Sequence, residues 1–161
     1  MSFSTMKAVL LDQVGTYDNP KVPNKYSLWY ASRHGNVFRT GDGCDMGLSW
    51  SAWRAGEGEN FGEFAYVPSH RDWYIARGQR VFVPEEGDAA FFDWNGNRIP
   101  NHIGWVLQVV SSRHIKTVEF NHENGVHVVD RTSPNLWLDF GRPLYNAPSE
   151  DELYETVSLG V

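Results

Sequence analysis

Asn101-His102-Ile103-Gly104-Trp105-Val106-Leu107 is the most apolar extended run of the chain, and it sits inside a region with a strand period. From residue 88 onward five apolar or alternating runs follow one another, at Ala89–Trp94, His102–Ser111, His114–His122, Val126–Thr132 and Leu136–Gly141. Turn residues separate them, among them Asn95-Gly96-Asn97 and Glu123-Asn124-Gly125, which predicts an antiparallel meander or a partly closed barrel. Before residue 88 the period is helical. Ser4 to Val14 places Met6, Val9, Leu10 and Gln13 at helical spacing behind a Ser or Thr cap, with Gly15 as the stop. Cys44 to about Ala55 is predicted to form a second helix. Ser69 to Gly78 forms a third, capped by Ser69 and closed by Gly78. Thr16 to Gly43 reads as loop with one helical turn near Lys25–Ala31. Helices first and strands second is an α+β arrangement, with N-terminal helices packed on a five- to six-stranded antiparallel sheet.

At 161 residues the chain has the size of one domain and can bury a core without a covalent staple. Residues 1–145 are read as that domain, and 146–161, with Pro148-Ser149-Glu150-Asp151-Glu152-Leu153-Tyr154-Glu155, as an acidic C-terminal tail or linker. The single cysteine forms no intramolecular disulfide and provides no cysteine cage for a structural metal. A net charge of −6 argues against a surface built to wrap nucleic-acid phosphates. No run approaches a membrane span, and Met1-Ser2-Phe3-Ser4-Thr5-Met6-Lys7 lacks the pattern of a secretory signal, so synthesis in the cytoplasm is expected. Seven Trp, seven Tyr and nine Phe suit strand packing, and some suit a groove with aromatic walls.

The lone cysteine lies in Gly41-Asp42-Gly43-Cys44-Asp45-Met46-Gly47-Leu48-Ser49-Trp50, a tight turn that delivers a thiol onto a helix start. Backbone N–H groups and the helix dipole favour a thiolate there. By itself such a residue is as readily a small buried hydrophobe. A nucleophilic thiol needs a base and a group that fixes the base's tautomer. Of six histidines, His34, His70, His114, His122 and His127 read as surface or strand-end residues. His102 opens the most apolar strand, with Gly104 two residues on where something can approach closely. In the next strand Glu119 and Asn121 lie two apart and share a face, so either can accept the His102 N–H. Edge or solvent-face polarity is the competing account of that pair. An oxyanion would be held by the Cys44 backbone N–H.

Four segments in this order resemble the CHAP family, the cysteine, histidine-dependent amidohydrolases and peptidases, which are papain-like. They are the Gly43–Trp50 nucleophile helix, Pro84-Glu85-Glu86-Gly87-Asp88-Ala89-Ala90-Phe91-Phe92, the Asn101–Val106 histidine strand, and Thr117-Val118-Glu119-Phe120-Asn121. The resemblance spans residues 4–143. It implies Cys44 as nucleophile, His102 as general base, Glu119 as its orienter and Asn121 as a further polar group of the active site. It implies a peptidoglycan hydrolase, a cysteine amidase or endopeptidase that needs no cofactor and works as a monomer on the bacterial cell wall. A phage endolysin is the expected setting. An interbacterial amidase toxin and a non-catalytic wall-binding or virion domain are the alternatives. Gly41-Asp42-Gly43 departs from the aromatic or proline that often precedes the family's cysteine. Some relatives bind calcium through acidic residues near the nucleophile; Asp42 and Asp45 alone make no full set of oxygen ligands, which leaves calcium open without predicting it.

Overall fold

The computed structural model describes residues 2–132 and 137–158. The chain begins with α1 (Phe3–Gln13), α2 (Lys25–His34), a 3-10 turn (Asn36–Arg39), α3 (Cys44–Arg54), α4 (Gly58–Phe61) and α5 (Val67–Ala76). Strands follow: β1 (Arg80–Val81), β2 (Ala89–Phe92), β3 (His102–Ser111), β4 (His114–His122), β5 (Gly125–Arg131) and β6 (Trp137–Gly141), with α6 (Glu150–Ser158) last. The architecture is α+β. The strands form one antiparallel sheet in the order β1-β6-β2-β3-β4-β5, so β2 to β5 are the expected meander and β6 returns to close its other side against β2. Leu136, placed in the last strand from sequence, lies outside the described residues.

Several local readings need correction. Ser2, not Ser4 or Thr5, precedes α1, and its side chain makes no capping bond. The helical turn near Lys25 is a full ten-residue helix, because Asn24 and Ser27 form a reciprocal capping box. The third helix starts at Val67 rather than after Ser69. Pro68 in its first turn tolerates that position because it has no N–H to leave unpaired. The 3-10 turn, α4 and β1 are too short to leave a periodic signal. Residues 150–158 of the acidic segment are helical, and Glu152 accepts hydrogen bonds from Ser2 and Thr5 of the N-terminal region.

The sheet carries apolar packing on both faces. Ala89, Phe91, Ile103, Trp105, Val118 and Phe120 join a core with Met6, Leu10, Leu48 and Tyr74 from the helices. Ala90, Phe92, Val106, Ile115 and Phe140 make a second cluster on the opposite side. That is why Ala89-Ala90-Phe91-Phe92 is apolar without alternation: each of its side chains is buried, whichever face it points to. Each large apolar group so buried contributes about 1.5–3 kcal/mol before entropy is charged against it.

Helix α3 meets the sheet where Gly47 lies on Phe120 of β4. A Cβ on residue 47 would stand 2.1 Å from the Phe120 ring. This contact sets how closely Cys44, one turn earlier, approaches the sheet. Replacing a mid-helix glycine by alanine ordinarily stabilises by about 0.5–1 kcal/mol. Gly47→Ala is predicted to do the reverse, costing about 1–3 kcal/mol in chemical denaturation through overpacking. A gain in stability would show that α3 does not pack this way.

Candidate active site

Cys44 is the first residue of α3. The turn before it reverses at Gly41, whose φ of 129° disfavours any side chain, and Gly43 precedes the helix against Asp18, whose Oδ1 would lie 3.1 Å from a Cβ there. Asp18 is buried and held by three partners: its own N–H donates to Asn124 O, Asn24 Nδ2 donates to Oδ1 at 2.8 Å, and Asn121 N donates to Oδ2 at 2.7 Å. The carboxylate thus packs against the nucleophile turn at Gly43 while it holds the end of β4. Burial raises its pKa against the opposing pull of the Asn121 and Asn24 hydrogen bonds.

Cys44 is 4% exposed. Burial pushes its pKa up, and the neighbouring Asp45 carboxylate pushes the same way, while the backbone N–H of Ile103 and that of Asp45 pull it down. The group therefore rests as a thiol and needs a base to become a nucleophile. Ile103 is the residue after His102, so the start of β3 lies against the sulfur.

His102 faces Phe92 across the β2–β3 ladder, and its Nε2 donates to Glu119 Oε2 at 2.6 Å. A carboxylate can only accept, so this bond fixes the proton on Nε2 and leaves Nδ1 of the neutral ring as the proton acceptor. The rings of Trp94 and Phe92 lie 5.6 Å and 5.9 Å from the imidazole. Glu119 reaches His102 by passing over Gly104. A Cβ on residue 104 would stand 3.0 Å from Glu119 Cγ, so the close approach expected at this glycine is made by the Glu119 side chain.

Glu119 is completely buried and accepts four hydrogen bonds. Besides His102, they come from Thr117 Oγ1 to Oε1 at 2.5 Å, Arg131 Nε to Oε1 at 2.8 Å and Arg131 Nη2 to Oε2 at 2.5 Å. Burial works to raise its pKa, but the bonds and charges of His102 and Arg131 overcome it and hold the carboxyl at about 2. Thr117 lay in the Thr117–Asn121 segment without a role of its own, and Arg131 carried no motif in the sequence. Arg131 closes β5, and only the β4–β5 register shows that it projects on the face of Glu119.

Asn121 does not join His102 and Glu119 in this bonding. The β4–β5 register shifts after Glu119, Asn121 adopts φ 52°, and the alternation on which a shared face was argued ends there. Its side chain turns toward Asp42, with Nδ2 3.5 Å from Oδ1, and it lines the hollow beside His102. His70, read from sequence as a surface residue, is fully buried: its Nδ1 meets Asp45 Oδ1 at 2.8 Å and its Nε2 meets Phe61 O at 2.7 Å. His34 and His114 pair with Glu63 and Asp130, away from Cys44. Among the described residues no three His, Cys, Asp or Glu side chains converge as metal ligands, and none of the described helices is long and apolar enough to cross a membrane.

Two hollows flank the pair. One, of about 260 Å³, includes Cys44, Tyr66, Pro68, Ile99 and Pro100. The other, of about 330 Å³, includes His102, Trp94, Asn121 and Arg131. The loop 93–101 borders both. Asp93 holds it by accepting from the backbone N–H groups of Asn95, Gly96 and Arg98, and Asn101 Oδ1 accepts from Trp94 N.

A cysteine at a helix start, a histidine on a neighbouring strand and a carboxylate behind it are the elements of thiol-dependent acyl transfer. A family model described as the CHAP domain matches residues 20–121. The chain belongs to the CHAP family. No curated protein and no solved structure matches the chain. The matched span contains Cys44, His102 and Glu119 but ends ten residues before Arg131. CHAP membership brings with it the family's chemistry, hydrolysis of amide bonds of the peptidoglycan type by a cysteine- and histidine-dependent centre.

A pH prediction follows from Glu119. Its folded pKa of about 2 lies below the ordinary 4.5, so the stability it contributes is fully present above about pH 4.5 and is lost as the pH falls toward 2. Urea unfolding of wild type and Glu119→Gln should differ by an amount that is constant at neutral pH and shrinks through that window. A difference that does not change with pH would show that the buried carboxylate is not held ionised.

Proposed function

We propose that this CHAP domain hydrolyses an amide bond of peptidoglycan, in the stem peptide, its cross-bridge or the junction between sugar and peptide, through Cys44, His102 and Glu119. The observation that carries the reading is the 2.6 Å bond from His102 Nε2 to the fully buried Glu119, which leaves Nδ1 to take a proton. In the first step His102 removes the thiol proton while the Cys44 sulfur attacks the scissile carbonyl carbon. The tetrahedral oxyanion is met by the Cys44 backbone N–H at the start of α3. The new imidazolium, stabilised by Glu119, protonates the amine as the C–N bond breaks, leaving a thioester on Cys44. Water, deprotonated by His102, adds to the thioester, and the thiol and a carboxylate product are released. In this reading the groups of the chain itself and one water carry every step, and no cofactor takes part.

Asn121 serves in this reading as a polar wall of the cleft rather than as a partner of the imidazole. The hollow with Tyr66, Ile99 and Pro100 lies beside Cys44, where the scissile peptide would enter, and the loop 93–101 adds Asn95, Asn97 and Asn101 to its wall. The biological setting proposed is a phage lysin.

Digestion of purified peptidoglycan with mass spectrometry of the products tests the function and names the bond, through the new amino termini or free glycan-linked lactyl groups that form. Cys44→Ala and Cys44→Ser should abolish release while leaving thermal unfolding nearly unchanged. His102→Ala should lower the rate by about 10²-fold or more. Product release by the Cys44 variants at the wild-type rate would overturn Cys44 as the nucleophile, and no release by the wild type would leave a wall-binding or virion domain in the enzyme's place.

A further inference from the structure

Arg131 lies outside the segment that the family model matches, yet it makes two of the four hydrogen bonds to the carboxylate behind His102. Its fork engages both oxygens of Glu119, a geometry that fixes the plane of the carboxylate as well as neutralising it. The guanidinium itself is held in place. It lies 4.7 Å from the ring of Trp94 and 5.3 Å from that of Phe92, and these rings also flank His102. Arg131, Trp94, Phe92, His102 and Glu119 thus form a closed set, in which the strand-end arginine sets the carboxylate and the two aromatic rings flank both the guanidinium and the imidazole.

The geometry points to Arg131 as a positioning residue of the catalytic centre, acting through Glu119 to fix the orientation and proton affinity of His102. This rests on the proposed Cys44, His102 and Glu119 chemistry and adds a fourth member. Without the fork, Oε2 keeps only His102 as a strong donor and Oε1 only Thr117, so the carboxylate can turn and the imidazole can turn with it. A second effect is purely Coulombic: a permanent cation next to the pair disfavours its protonation.

Other titratable groups face the same carboxylate. His122 Nδ1 lies 3.9 Å from Glu119 Oε2, and His127 is the residue paired with Glu119 across the β4–β5 ladder. Glu123 stands at the mouth of the hollow, and Cys44 with Asp42 borders the neighbouring one. None of these is a permanent cation, so none replaces Arg131 over the working pH range.

The test compares Arg131→Lys and Arg131→Met with wild type by two readouts. The first is the pH dependence of Cys44 alkylation by iodoacetamide, unambiguous because the chain has one cysteine and independent of any wall substrate. Loss of the cation in Arg131→Met should move the acid limb to higher pH by about one unit, whereas Arg131→Lys, which keeps the charge, should leave it near the wild-type position. The second is kcat on peptidoglycan. Both variants lose the fork, and both should fall roughly 10- to 100-fold in kcat with KM little changed. In a Glu119→Gln background the Arg131→Met change should cost almost nothing further in rate, because the group it acts through is gone. Thermal unfolding identifies any variant that fails to fold, and Arg131→Lys, which leaves the buried carboxylate paired, keeps the comparison open in that case. An acid limb that stays in place in Arg131→Met, or rates that add in the double variant, would overturn the assignment while the triad stands. If His102→Ala leaves the alkylation profile of the otherwise wild-type protein unchanged, the triad itself fails and Arg131 has nothing to position.

Discussion

A carboxylate is carried into a protein interior only where its charge and its lone pairs are met, and Glu119 is met completely. Two bonds from Arg131, one from Thr117 and one from His102 occupy both of its oxygens. Withdrawing any one partner leaves a buried charge short of a donor, which is expensive, so the four groups hold one another in a single arrangement. The surrounding sheet is compatible with this. Gly104 leaves the lane along which the Glu119 side chain runs, and the apolar Phe92 and Trp94 rings flank the far side. The dehydrated surroundings that would penalise the charge also make its hold on the His102 proton strong.

The same sheet fixes the thiol. Gly47 lets α3 sink onto Phe120, and Asp18, bonded to the backbone of Asn121 at the end of β4, packs against Gly43 in the turn before Cys44. The nucleophile and the base thus come from different elements, but both are referred to one strand. Burial keeps the resting sulfur protonated, which makes the base obligatory and gives the His102 tautomer its importance.

Much of this was legible in the chain. β3 and β4 have the limits read from their apolar runs, and β4 carries the polar residue that meets His102, because a two-residue period survives in strands whose inner faces are buried. The strand period left the choice between Glu119 and Asn121 open, and only the family resemblance pointed to Glu119. That choice turns on a register shift after Glu119 that puts Asn121 at positive φ, and such a shift leaves no mark in composition. Arg131 was missed for a related reason: its role depends on the pairing of β5 with β4 and on the reach of a long side chain back along the ladder. His70 looked like a surface residue because a histidine near a helix start usually is one. Its burial is made possible by Asp45 and the Phe61 carbonyl, which only the packing of α3, α4 and α5 brings together.

Activation of Cys44 depends on where the proton of His102 resides. Nitrogen-15 NMR of the imidazole at neutral pH reads this, through the distinct shifts of protonated and bare ring nitrogens. The neutral form of the ring should carry its proton on Nε2, with a slowly exchanging, downfield Nε2–H signal from the bond to Glu119 and a bare Nδ1 free to receive the thiol proton. A proton on Nδ1 with Nε2 bare would contradict this, because Glu119 would then not hold the ring and Cys44 would have no base.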